Sequence, residues 1–143
     1  MKKGQIRAIS ICVFRTAHSI LVAEGFDEFK GENYYRPIGG GIEYGETSAE
    51  AVIREVNEEI GAEITNIQFL GTLENIFRYN GELGHEIVFV YEAEFTDPSF
   101  YKKSSFMGVE DNGAPFKLVW KPISDFAQHS TLVPGQLYEL LGY

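Results

Sequence analysis

GGIEYGETSAEAVIREVNEEIGA, residues Gly40 to Ala62, places the glutamates Glu55, Glu58 and Glu59 at spacing i, i+3, i+4. On a helix that spacing gathers three carboxylates onto one stripe. Like charges on adjacent turns repel, so the stripe is favourable where it faces open water or where a cation neutralises it. Thr47, followed three residues later by Glu50, reads as a capping box that starts the helix at Ser48. Gly61 suits the left-handed position just past its end at Ile60. With about 100° per residue and Glu55 at zero, the three glutamates fall in an arc about 100° wide. Ala49, Ile53, Val56 and Ile60 cluster within about 60° of one another on nearly the opposite side. A core face and an acidic face are therefore expected, with Ala51 and Val52 sharing the acidic one.

Upstream stands Arg36-Pro37-Ile38-Gly39-Gly40-Gly41. Glycines let backbone amides and carbonyls approach a ligand closely, and a glycine loop running into a helix suits phosphate, although most glycine triplets are ordinary turns.

Gly40, five residues, Glu46, seven residues, Arg54-Glu55-Val56, one residue, Glu58-Glu59, one residue and Gly61 resembles the signature of the Nudix hydrolase family, the MutT-like proteins. Every polar and glycine position is matched. Ala62 departs softly, since a larger aliphatic residue is usual there, and that touches packing rather than chemistry. The motif spans 23 of 143 residues. The resemblance implies an α/β/α sandwich with a mixed β-sheet, and a pyrophosphohydrolase that cleaves a diphosphate linkage in a nucleoside diphosphate joined to a further moiety X. Nucleoside triphosphates, dinucleoside polyphosphates and nucleotide sugars are the competing substrates. It further implies Glu55, Glu58, Glu59 and the main-chain carbonyl of Gly39 as metal ligands, with Glu55 and Glu59 each able to align the attacking water. Glu46 and Arg54 are expected to brace loop and helix around them. Many relatives add a carboxylate from a late loop; of Glu110 and Asp111 we take Glu110 as that ligand. The alternative is a catalytically silent Nudix-fold domain for nucleotide sensing or interaction, whose mark would be lost glutamates.

Hard carboxylate oxygens favour Mg²⁺ or Mn²⁺ over zinc. Candidate substrate contacts are Arg36, Gly40, Gly41, Tyr79 and Glu86. Tyr79 lies 17 residues beyond the motif, as a tyrosine does in dinucleoside-polyphosphate hydrolases, and no proline falls between Pro37 and Pro98, where the ADP-ribose type tends to have one. Glu86 sits in the alternating run Gly84 to Tyr91 with Val88 and Val90 on its face and His85, Ile87, Phe89 and Tyr91 on the other. Tyr34, Tyr35, Phe77, Tyr79, Phe100, Tyr101 and Phe106 are all able to stack on a base, and packing is the commoner role for such residues.

At 143 residues and 44% apolar composition, one domain over 1–143 with a proper core is expected. The net charge of −9 argues against polymeric nucleic acid but allows a small anionic ligand brought in by a divalent cation. Met1-Lys2-Lys3 leads into no apolar signal segment, no run of 18 apolar residues occurs, and the lone Cys12 forms no internal disulfide. A cytoplasmic protein is expected, without membrane contact and acting on small molecules, and the resemblance implies a homodimer as one option, since many of the family are dimers.

Strands are expected near Gln5 to Phe14, Ser19 to Ala23, Ile67 to Phe77, His85 to Phe95 and Lys117 to Pro122. Turns are expected at Asn80-Gly81 and Asp111-Asn112-Gly113, and a second helix from Pro134 to Leu141.

Overall fold

The computed structural model describes residues 4–143; Met1-Lys2-Lys3 lie outside the described residues. Two four-stranded sheets form the centre. In the first, β4 (Ile38–Gly41), β1 (Arg7–Val13), β6 (Glu82–Phe95) and β5 (Ile64–Tyr79) lie in that order. Its β1–β6 pair is parallel and the other two pairs are antiparallel, so this sheet is mixed. The second, β3 (Glu32–Arg36), β2 (Ser19–Asp27), β8 (Pro115–Pro122) and β7 (Ser105–Val109), is antiparallel throughout.

Strand β1 explains the layering. Its apolar run is buried on both faces, as a strand between two covering layers must be. Cys12 and the following Phe14 enter one core with Val52 and Val56 of α1 (Ser48–Ile60). Ile11 and Val13 enter the other, which Leu132, Leu137 and Leu141 of the C-terminal segment close. Sheets between α1 and the C-terminal helices give the expected α/β/α arrangement. Among the described residues no helix is long and apolar enough to cross a membrane.

The β5–β6 hairpin turns through Asn80 (φ 49°) and Gly81 (φ 80°), the left-handed pair that a two-residue turn needs to match strand twist. Strands β3, β4 and β7 were not expected. All three lie at sheet edges and lack a period-two apolar pattern, and β3 is bridged on its outer side by Leu132 through Tyr35. The glycine triplet therefore sits in an edge strand, with Gly39 opposite Ile11 and Gly40 opposite Ser10, and not in a loop. A short helix, α2 (Ile123–Gln128), follows β8. The last helix, α3, is only Leu137–Leu140, shorter than expected from Pro134, and Pro134 and Gly135 line a cleft.

Candidate active site

Helix α1 begins and ends as its sequence requires. Thr47 accepts from the Glu50 amide, Glu50 reaches back to the Thr47 amide, and Gly61 takes φ 66° at the C-terminal cap. Its faces differ from expectation. Ile53 is exposed at 46%, whereas Ala51 and Val52 are fully buried and Glu55 and Glu59 are buried at 2% and 7%. The acidic stripe faces the sheet because β4 offers it glycine: a Cβ on Gly40 would lie 2.6 Å from the Glu55 carboxyl. Only Glu58 of the three opens to solvent, with its side chain 49% exposed.

Arg54 organises these groups. Its guanidinium grips Glu46 through two bonds, Nε to Oε2 at 2.7 Å and Nη2 to Oε1 at 2.9 Å. Nη1 donates to Glu55 at 2.8 Å and to Glu58 at 3.2 Å, and Nη2 donates to the Gly41 carbonyl at 3.0 Å. One planar fork thus joins loop, strand and helix, a geometry lysine lacks. It holds Glu46 well below the ordinary carboxylate range, at about 2. Glu59 moves the other way: burial, then its hydrogen bond to Glu55, raise its pKa, with the Glu55 and Asp111 charges adding and Arg36 opposing.

One oxygen each of Glu55, Glu58 and Asp111 lie within 4.8 Å of one another. Glu110, the ligand taken from sequence, turns instead to Arg36, Oε1 to Nη2 at 3.1 Å. The β7–β8 turn decides between these neighbours, since Glu110 bonds its amide to the Ala114 carbonyl and its carbonyl to the Gly113 amide. Adjacent side chains then diverge, and sequence carried no signal to separate them. Glu59 lies outside that three-oxygen group and lines the cleft beside Glu55.

The cleft holds about 610 Å³ and is lined from both sheets. Gly39, Gly40, Gly41 and Arg36 border it near the carboxylates, and Tyr79 lies on its wall. Glu86 also borders it, paired to Arg7 at 3.6 Å, and burial raises its pKa. His85 is not among the lining residues. Arg7, unremarked in the sequence, enters the cleft because β1 runs parallel to β6 with Arg7 opposite Glu86. Tyr34 and Phe77 line it as well; burial, then the nearby Tyr79, push the Tyr34 hydroxyl up to about 12.

The model of the NUDIX domain matches residues 4–129. The chain belongs to the Nudix family. Among curated relatives, the NAD-capped RNA hydrolase NudC of Pseudomonas aeruginosa is 31% identical over 61 residues, covering 43% of this chain and 20% of that protein. The chain thus matches about a fifth of that relative's length. Solved structures of Nudix proteins share the fold. A Nudix hydrolase from Nitrosomonas europaea superposes with TM-score 0.62 at 19% identity, over 96% of this chain and 86% of that one. The MutT protein of Bacillus halodurans gives 0.61 at 18% identity, over 94% and 80%.

Proposed function

We propose that this Nudix chain is a divalent-metal-dependent pyrophosphohydrolase acting on a nucleoside diphosphate linked to a further moiety. The convergence of Glu55, Glu58 and Asp111 oxygens within 4.8 Å at the edge of a nucleotide-sized cleft carries this reading. An all-oxygen donor set with no histidine fits Mg²⁺ or Mn²⁺. These three residues would hold the cation, which supplies charge neutralisation at phosphate oxygens and acidifies water. Arg54 sets the angle of Glu55 and Glu58, and Glu46 sets Arg54. Glu55 and Glu59, side by side at the cleft, are the carboxylates that align the attacking water and take its proton. Arg36 presents a guanidinium to the substrate's phosphates, and Gly40 and Gly41 let those phosphates approach the strand backbone. The relative named for hydrolysing NAD-capped RNA supports a nucleotide substrate.

The test is release of phosphate or pyrophosphate from nucleoside triphosphates, dinucleoside polyphosphates, ADP-ribose and nucleotide sugars with Mg²⁺ or Mn²⁺, beside Glu58→Gln. Because Glu58 is half exposed, the variant keeps its fold, and turnover falls at least about 10²-fold. Metal-independent turnover, or full activity in Glu58→Gln, would overturn the assignment.

A further inference from the structure

Resting on that reading, we infer that Tyr34 and Phe77 form the two sides of a slot that seats the planar base of the substrate. An aromatic residue stands opposite a glycine three times in the two sheets, and two of those rings, one from each sheet, line the cleft. Tyr34 on β3 stands opposite Gly25 on β2, and Phe77 on β5 stands opposite Gly84 on β6. In both, the far end of the ring reaches over its glycine: a Cβ on Gly25 would meet the Tyr34 ring at 2.2 Å, and one on Gly84 would meet the Phe77 ring at 2.3 Å. A glycine opposite an aromatic gives up side-chain packing and lets the ring lie down across the neighbouring strand. Both rings are only partly buried and line the same cleft. The third such ring, Phe116 over Gly108, is buried in the core and does not line the cleft, whereas Tyr34 and Phe77 stand half-buried in the wall of the cavity that Glu55 and Glu59 also line.

The end of the cleft is built to keep these faces in place. Tyr79 meets Tyr34 edge-on, centroids 5.6 Å apart at 84°. The two hairpin tips are fastened together by Asn80, whose side chain accepts from the Glu28 amide at 2.9 Å and whose amide donates to Asp27 at 3.3 Å. Asp27, only 4% exposed, also accepts from the Lys30 amide at 3.0 Å. The tips therefore bring a wall from each sheet to the same end of the cleft. A bare phosphate gains nothing from aromatic side chains, whereas every base has a π-face to stack.

The test is titration of the protein with AMP in EDTA, followed by the aromatic-ring NMR signals of Tyr34 and Phe77, with Phe77→Leu and Tyr34→Leu beside the wild type. The ring signals of both residues are expected to move in the wild type. The dissociation constant should rise about ten-fold in each leucine variant and return within about three-fold of wild type in Phe77→Tyr and Tyr34→Phe. With a nucleotide substrate and metal, Phe77→Leu should raise KM by a similar factor with little change in kcat. Ring signals that stay still on AMP addition, or AMP affinity unchanged in both folded leucine variants, would overturn the slot. Should a leucine variant fail to fold, the wild-type ring shifts decide alone. The two readings fail separately. Binding through these rings with no turnover of any nucleotide sinks the hydrolase and keeps the slot, while turnover with an unaltered KM in the leucine variants does the reverse.

Discussion

Gly40 and Gly39 differ by one position and should fail in different ways. A Cβ at Gly40 meets the end of a side chain, the Glu55 carboxyl at 2.6 Å, whereas one at Gly39 meets backbone, the Ser10 carbonyl at 2.1 Å. Glu55 can yield, but Arg54 holds it 2.8 Å away and its surroundings are packed, so yielding takes it off its position in the site. Gly40→Ala is expected to keep its circular dichroism spectrum and lose about 10²-fold in kcat, the cost of roughly 1 Å of misplacement. Gly39→Ala pushes β4 from β1 and should cost about 1–3 kcal/mol, read as a lower Tm. An active Gly40→Ala would show that Glu55 has more room than its contacts allow. Glycine at these positions was legible in the sequence, but its reason was not. The triplet suggested a loop that lets backbone meet phosphate; it lies in a strand, and at Gly40 the missing side chain also makes room for a buried carboxylate.

Helix α1 was readable in its bounds because its stop signals are local: Thr47, Glu50 and Gly61 each act within one turn. Its orientation was not, because Glu55 and Glu59 face inward only where a glycine strand and Arg54 receive them, and both partners come from tertiary structure. Ile53, grouped by periodicity with the core, is left outside by the same rotation. The loop before the helix is tied to it by Glu46 and Arg54, and that tie is sensitive to acid. Glu46 titrates near 2 in the folded chain against about 4.5 for a free glutamate. A depressed folded pKa adds stability that is fully present above the unfolded value and is lost as pH falls from about 4.5 towards 2. Thermal unfolding across that interval should show Tm falling with pH in the wild type, with a shallower fall in Glu46→Gln. Parallel curves for the two proteins would mean that the fork around Arg54 does not govern this limb.

The whole chain carries 21 acidic residues against 12 lysines and arginines, and several of the acids converge on one cleft. Burying carboxylates beside one another opposes folding unless protons or a cation relieve the repulsion, and burial beside Glu55 raises the pKa of Glu59 accordingly. A cation that binds only the folded form should therefore stabilise the whole molecule by mass action, about 2.7 kcal/mol at a hundred-fold excess over its dissociation constant. For a chain of this length that corresponds to a Tm roughly 10 °C higher than in EDTA. The expected result is a rise of this size with Mn²⁺ in the wild type and a much smaller one in Glu58→Gln and in Asp111→Asn at the same concentration. The second variant bears on the choice between neighbours, because Glu110→Gln should keep most of the rise while breaking only the pair with Arg36. If Glu110→Gln abolishes the shift and Asp111→Asn spares it, the ligand read from sequence is right and the loop rearranges on binding. If neither changes it, Mn²⁺ stabilises the fold from elsewhere on an acidic surface, and the three-oxygen cluster is not its site.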